Sequence, residues 1–516
     1  MTNSSAASDG DRRSANRTTL RNLGIDESLC RDFAGTLITR DDTSDEYNEN
    51  RVLSNPAFDP HPDLIAICTD QNDIRIALAV ARATGLSPVC RSGGHSTAGY
   101  SSLDGVMVID MKPMNGVQVF RAEKTAVIEA GAAFGKVNML IGTASGHYLH
   151  VPGGACADVR VGGFMQGGGY GFTSRIFGMN IDSVRSFRMM LADGRTVTAS
   201  RDRNYDLFWA VRGGTGNNFG VLLDVTYDLH SVNDLRGFSL TWDLDREDAL
   251  TLIPEVLLTL QANYMLTAAS SRFGYMLAFR KLNGKTLLLM RGVYFGPAKE
   301  ASEWLSRLRA ETGGALEFEM LQPYEAMERI IMEQYHIAPD VPRGAKEDKQ
   351  SGYVDRMLSL ADWRDIVAYI KRAGPILNFV VIEPYGGRIA AVPSADSAFV
   401  HRAAHMDFYV DVWWVEAAEK AAAVAWLDRF MTLMSPRFNG MAYQNYPRAT
   451  FEDYPLRYWG TDTYTELCAI KKKYDPTDFF TFPQAIGRWP KFEPSEGIGD
   501  PKLTAAIRDP VIAVES

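Results

Sequence analysis

Apolar positions follow two rhythms along this chain. Over the first 230 residues they come in short runs, LIAICTD (64–70), PVCR (88–91), GVMVIDM (105–111) and TAVIEAG (125–131), that read as strands of four to seven residues. Between them, Asn72 or Asp73 caps a helix whose apolar face is Ile76, Leu78, Val80 and Ala83, with Gly85 as its stop, and a second helix runs from Gly135 to about Thr143. Strands at 184–191 and 195–199 join through Asp193-Gly194, a hairpin signal. NYDLFWAVRGG (204–214) reads as a short helix, and GNNFGVLLDVTYDL (216–229) as a further strand.

From about residue 236 the elements lengthen. Strands are expected near 272–280 and 285–294 around Asn283-Gly284, and helices near 298–310, 361–372 and 415–434. That pattern is an antiparallel sheet backed by helices, a second domain. Residues 441–487 return to short, aromatic-rich elements. The fold class is therefore α+β with two domains. Order is expected to begin near Leu23, with a disordered tail over 1–23.

Composition narrows the function classes. Of 516 residues, 46% are apolar and 23% charged, and 54 basic against 63 acidic side chains give a formal charge of −9. That balance argues against a chain built to coat nucleic acid or an anionic membrane. No apolar run reaches the ~18 residues of a spanning helix. Five cysteines (Cys30, Cys68, Cys90, Cys156 and Cys468), widely spaced and without a CxxC pair, exclude a disulfide framework and a zinc knuckle. No metal site is expected. The N-terminus lacks the apolar core of a secretory signal, so a cytoplasmic location is expected.

The familiar catalytic motifs fail one after another. The dinucleotide fingerprint stops at Gly169 and Gly171, because Ser174 occupies the third glycine position. The phosphate loop fails in GAAFGKV (131–137), and neither HExxH nor GxSxG occurs. HRAAH (401–405) lacks a carboxylate third ligand and precedes a strand-like run, so it reads as structural.

Two glycine-rich loops remain. RSGGHSTAGYSS (91–102) presents consecutive backbone N–H groups around His95, a nest suited to an anion. Residues 153–171 hold eight glycines in nineteen positions, with Cys156 among them. Glycine at that density costs chain entropy and persists where backbone approaches something closely or takes positive φ. Alone, His95 reads as a turn histidine and Cys156 as a small buried hydrophobe. Together they suggest one large ligand touched from two sides.

In RSGGHS (91–96), GACADVRVGGFMQGGGYGFTSRIFG (154–178), LADG (191–194), LFWAVRGGTGNNFGV (207–221), EPYGGRIA (383–390), AFVHR (398–402), AYQNYP (442–447) and YWGTDTYTELCAIKKKYDPTDFFTFPQAI (458–486), the chain resembles the berberine-bridge-enzyme-like FAD-linked oxidases, of the vanillyl-alcohol-oxidase or PCMH type, over about residues 55–490. The resemblance implies an FAD domain in two parts (24–235 and 440–490) enclosing a substrate domain (236–439), with a tail over 491–516. It implies FAD held by two covalent bonds, through His95 to the 8α-methyl and through Cys156 to carbon 6. Arg91, Ser92, Gly93, Gly94, Ser96, Gly153, Gly154, Gly162, Gly163, Gly168, Gly169 and Gly171 resemble the family's cofactor cradle, and Val221 follows the turn whose backbone meets the adenine.

Within Tyr443-Gln444-Asn445-Tyr446 the resemblance makes Tyr446 the catalytic base, with Tyr443 beside it and Asn445 on the flavin; Gln484 resembles a flavin-contacting glutamine. A phenol acting as base at neutral pH needs a neighbouring cation to depress its pKa from about 10. Val159 falls near the family's oxygen-access site, and a small residue there leans toward an oxidase. Arg160 and Phe164 depart from the usual glycine and histidine of the cysteine loop. Along the strand 407–414, Phe408, Tyr409, Trp413 and Trp414 alternate, and Asp407 and Asp411 fall on one side, so that half of these residues would face the substrate.

The implied activity is removal of a hydride from an alcohol, lactol or similar C–H substrate to flavin N5, with O2 reduced to H2O2, on a small molecule of the sugar or natural-product kind. A flavin dehydrogenase with another electron acceptor, and a redox-inert binding protein on the same scaffold, are the alternatives.

Overall fold

A computed structural model of the chain describes residues 9–42, 45–232, 235–266, 271–282, 284–334, 341–372, 376–489 and 501–513. Two main sheets, with a two-stranded pairing of Leu149–His150 and His230–Ser231, build the part that precedes Leu235. In the first, Thr36–Thr39, Leu64–Ile67, Met107–Asp110 and Pro88–Arg91 lie side by side in that order, the last three parallel. The second is antiparallel, in the order Val117–Phe120, Thr125–Glu129, Val221–Asp228, Val184–Met190 and Thr196–Ser200.

The helix Gln71–Thr84 packs on the first sheet, where Ile74, Ala77, Leu78 and Ala81 join Leu64, Ala66, Met107 and Ile109 in one core. Its cap is Asp70, two or three residues ahead of the expected Asn72 or Asp73. Asp70 has extended backbone, and its carboxylate accepts the Asn72 and Asp73 N–H groups at 2.8 and 2.9 Å. Asp73 is fully buried instead, accepting the Ala34 N–H at 2.7 Å and the Thr69 hydroxyl at 2.7 Å. The strand Pro88–Arg91 ends at the mouth of the first glycine loop, and its parallel pairing with Met107–Asp110 fixes where residues 92–96 emerge.

From Leu235 a seven-stranded antiparallel sheet follows, in the order Ala315–Leu321, Leu235–Asp243, Lys285–Phe295, Phe273–Leu282, Leu377–Pro384, Met406–Trp414 and Lys346–Val354. Side chains alternate across it. Phe273, Tyr275, Leu277, Phe279, Phe408, Val410, Val412 and Trp414 face one way, into a core shared with the helices Ala249–Leu260, Ala298–Thr312, Leu360–Lys371 and Ala417–Met434. Met276, Ala278, Phe379, Val381, Tyr353 and Tyr409 face the other way and join the core of the second sheet. The expected Asn283-Gly284 turn lies at the tip of the hairpin 273–295; Asn283 is outside the described residues, and Gly284 takes φ +80°.

Both expected tails contain structure. Asp9–Asn22 is a helix in which Asn16 is fully buried, donating to the Gly35 carbonyl at 3.0 Å and accepting the Leu37 N–H at 2.9 Å, while Leu20 enters the first core. Residues 1–8 and 490–500 lie outside the described residues. At the other end, Pro501–Arg508 is a helix, Leu503 is buried, and Asn204 exchanges two 2.9 Å hydrogen bonds with the Ile512 backbone. Among the described residues, no helix is long and apolar enough to cross a membrane.

Candidate active site

One cavity of about 480 Å³ lies between the glycine loops and the large sheet. His95 and Cys156, sixty-one residues apart in sequence, both line it, as do Ser92, Gly93, Gly94, Ser96, Gly154, Val159, Gly162, Gly163, Tyr443, Asn445, Tyr446 and Gln484. Cys156 is exposed, and burial pushes the His95 imidazole below its usual pKa, with Arg160 adding to the shift against Asp158. A neutral imidazole and an open thiol thus face one space.

The other predicted positions lie behind this lining. Arg91 does not face the cavity: its guanidinium is buried against Asp110, at 2.8 Å, and donates to the Asn50 carbonyl at 2.5 Å, so it anchors the loop rather than touching a ligand. Gly153, Gly168, Gly169 and Gly171 are packing glycines. A Cβ on Gly171 would fall 1.7 Å from the Gly153 carbonyl oxygen, and one on Gly153 would meet Phe134 at 2.6 Å. Gly168 and Gly169 take φ +124° and +77°, which side-chain-bearing residues rarely adopt. Val221 is buried in the first core, and its neighbour Gly220 lines the cavity instead.

The two departures in the cysteine loop have structural partners. Phe164 fills the space that side chains on Gly154 and Gly169 would occupy, and packs edge-on against Phe134 with centroids 4.6 Å apart. Arg160 lies along Gly93, whose Cβ would sit 3.0 Å from its Cδ, and donates to the Gly131 carbonyl. Gly163 is different again: a Cβ there would meet nothing within 4 Å.

The loop after Ala442 supplies the aromatic end of the site. The Tyr443 hydroxyl accepts the Gly169 N–H at 2.8 Å and the Asn445 amide at 3.1 Å, and Asn445 also donates to the Phe164 carbonyl at 2.9 Å, so this loop is tied to the cysteine loop. Gln484 holds the same end together, accepting from the Tyr458 hydroxyl at 3.1 Å and donating to the Arg448 carbonyl at 2.9 Å. The Tyr446 ring lies edge-on to Tyr443 at 4.9 Å and 5.0 Å from Tyr409, and its hydroxyl donates to Glu383 at 3.4 Å.

The large sheet contributes charge, of which the sequence singled out only Asp411. Glu347, Lys349 and Glu383 line the cavity with it, beside Phe379, Tyr409 and Trp413. Of the strand residues expected to share a face, Tyr409, Asp411 and Trp413 line it, Asp407 lies deeper on the same face, and Phe408 and Trp414 face the helices. The Lys349 ammonium sits 4.5 and 4.6 Å from the Tyr409 and Tyr446 ring centroids, 3.1 Å from Asp411 and 3.8 Å from Glu347.

The expected cation therefore stands beside Tyr446, yet the phenol is not depressed. Burial pushes the Tyr446 hydroxyl well above its usual pKa, and Glu383, Tyr409, Tyr443 and Asp407 push it the same way. The physical reason is first the burial of the phenol, and Lys349 is itself paired with Asp411 and Glu347. Glu383 is itself pushed up to about 8 by burial, with Lys349 and Tyr446 opposing. The sequence signal for Lys349 was the period of two in KEDKQSGYV (346–354), which sets Glu347, Lys349, Ser351 and Tyr353 on one face of a strand.

A profile for the FAD binding domain matches residues 62–200, and one for berberine and berberine-like proteins matches residues 442–487. The chain is 29% identical over 460 residues to the uncharacterized FAD-linked oxidoreductase YgaK of Bacillus subtilis, covering 88% of this chain and 97% of that one. It is 26% identical over 468 residues to berberine bridge enzyme-like 9 of Arabidopsis thaliana, covering 82% and 84%. The solved structure of BBE-like 1 from Physcomitrella patens superposes with a TM-score of 0.78 at 24% identity, over 89% of this chain and 98% of that one. With the two glycine loops closing on a single cavity, the fold and site define an FAD-linked oxidoreductase with the PCMH-type FAD-binding fold. The chain is similar to berberine-bridge-enzyme-like proteins over residues 442–487 and, at 26% identity, over most of its length.

Proposed function

We propose that the chain is a bicovalent FAD-dependent oxidase acting on a C–OH or comparable C–H bond of a small molecule, with His95 and Cys156 as the two attachment points and Tyr446 and Glu383 as the proton-accepting pair. The observation that carries this reading is that one cavity is lined by His95, Cys156, Tyr446 and Glu383, from four separate segments.

The lining suits the cofactor. Gly163 leaves space where a side chain would stand, Gly94 takes φ +74° so that backbone turns toward the cavity, and His95 is held neutral, the form that has a nucleophilic lone pair. FAD bound there would supply a two-electron acceptor for the substrate hydride, with O2 as the final oxidant and H2O2 as the product.

The protein's task is the proton. As hydride leaves carbon, the substrate hydroxyl must lose H⁺, and a phenol held protonated cannot take it alone. Tyr446 can accept it only by giving its own proton to Glu383, its hydrogen-bond acceptor at 3.4 Å. Tyr446 is thus a relay and Glu383 the base. Tyr409, Trp413 and Phe379 supply flat apolar faces for the substrate body.

An absorption spectrum before and after acid precipitation tests the attachment. Yellow colour is expected to stay with the pellet, and Cys156→Ala and His95→Ala are each expected to keep one bond, with altered spectra. Colour released to the supernatant from the unaltered enzyme overturns both anchors. Peroxide release on mixing with aromatic alcohols and reducing sugars is expected; flavin reduction by them without peroxide would mark a dehydrogenase.

A further inference from the structure

Glu383 and Asp407 stand directly opposite each other on neighbouring strands of the large sheet, on the face turned toward the cavity. Such pairs bring Cβ atoms to within about 5 Å. Both side chains are buried, at 1% and 0% exposure, and Glu383 Oε2 and both carboxylate oxygens of Asp407 make no hydrogen bond among the described residues. The Gly352 N–H leans toward Asp407 without closing one.

Two buried carboxylates at this separation cannot both be ionised, and each unpartnered oxygen needs either a proton or a donor. We propose that Glu383 and Asp407 share one proton, and that Asp407 is a positioning residue that sets when Glu383 is free to accept the proton relayed by Tyr446. The inference rests on the reading of Tyr446 and Glu383 given above.

The surroundings favour sharing over independent titration. From the strand 346–354, Lys349 and Tyr353 face the pair, but Lys349 is engaged by Asp411 and Glu347. From the strand 406–414, Tyr409 and Asp411 add no positive charge. From the loops, Tyr385, Tyr443 and Tyr446 are phenols held protonated by burial. Tyr353 and Tyr385 are hydrogen-bonded to each other at 3.0 Å, which leaves the carboxyl pair to balance its own charge.

The step balances without another reactant. The substrate O–H bond breaks as an O–H bond forms on Tyr446. The Tyr446 O–H breaks as one forms on Glu383. Before the step the pair holds one proton, on Asp407; after it the pair holds two, and one returns to solvent before the next turnover.

The test needs no substrate. In the flavin-loaded enzyme, the carbonyl stretch of protonated carboxylic acids is followed by infrared titration in a Glu328→Gln background, which removes one further buried carboxyl pushed up to about 8; Asp411, also pushed up by burial, is common to every variant compared. A band that disappears with a midpoint near 8 is expected, and Glu383→Gln is expected to remove that transition. Asp407→Asn should move the midpoint at least one pH unit lower, and Asp407→Glu, which keeps a carboxyl, should leave it in place. An unmoved midpoint in Asp407→Asn overturns the sharing.

If Asp407→Asn does not fold, the parent titration still decides, because absence of any protonated carboxyl at pH 7 overturns the proposal as well. Failure of the base reading is a separate outcome: Glu383→Gln would then reduce its flavin normally with a turned-over alcohol, whatever the infrared midpoints.

Discussion

Two surfaces meet across the cavity, and they are made of different material. The cradle, 92–96 and 153–171, is built from backbone, with glycines where a Cβ would collide and one glycine, Gly163, that leaves open room. The large sheet opposite is built from side chains, an acidic and aromatic lattice laid out by the period of two. The cradle's task is shape and close approach, so it tolerates almost no substitution. The sheet's task is chemistry, and its backbone is indifferent to which side chain does it.

The sharpest way to break that contrast is Gly171→Ala. A Cβ 1.7 Å from a carbonyl oxygen forces the cysteine loop apart, and no soluble folded protein is expected; a native circular dichroism spectrum from this variant would mean that the cradle is softer than its packing implies. On the sheet, the outer face should behave as ordinary core. Phe408→Ala is expected to cost about 3–5 kcal/mol in denaturant unfolding, since a fully buried ring leaves a cavity, while Tyr409→Phe on the inner face costs under about 1 kcal/mol and changes KM instead.

Glu383→Gln keeps size and removes the proposed base. Flavin reduction by substrate is expected to fall by about 10²-fold or more in stopped flow, with flavin content unchanged. Rapid reduction would transfer the base role to another group.

The smallest effect lies at the seam between the two parts of the protein, where Glu328, in the helix Tyr324–Arg329, accepts the Asn138 amide at 2.6 Å. Burial pushes Glu328 up to about 8, with Asn138 opposing. A carboxyl whose folded pKa lies above its unfolded value stabilises fully below about 4.5, and that contribution is lost as pH rises toward 8. Glu328→Gln should flatten the decline of unfolding free energy with pH by up to about 1 kcal/mol per unit; an identical slope would place the pH dependence elsewhere.

Much of the cradle was legible in the sequence because glycine density has a narrow set of physical causes. The helix–strand alternation before Leu235 was legible from apolar spacing, as was the antiparallel sheet after it. Three things were hidden. The N-terminal helix is polar along most of its length, and what holds it is Asn16 and Leu20, which no hydrophobic pattern singles out. Lys349 and Glu347 sit in a charged stretch that reads as a solvated strand until its partner strand is known. Glu383 lies in the segment EPYGGRIA (383–390), but its meaning depends on Tyr446 and Asp407, neither of them near it in sequence. Arg91, included with the cradle by resemblance, turns its guanidinium onto Asp110, a partner nineteen residues on that the sequence does not point to.

The alternation of the large sheet has a practical consequence. Because Tyr409, Asp411 and Trp413 alternate with Val410, Val412 and Trp414, every second codon of that strand addresses the cavity and the intervening ones address the helices. Selectivity and thermal tolerance are therefore written in separate, interleaved alphabets, and a library randomised at 347, 379, 409, 411 and 413 would explore new substrates while leaving the outer core untouched.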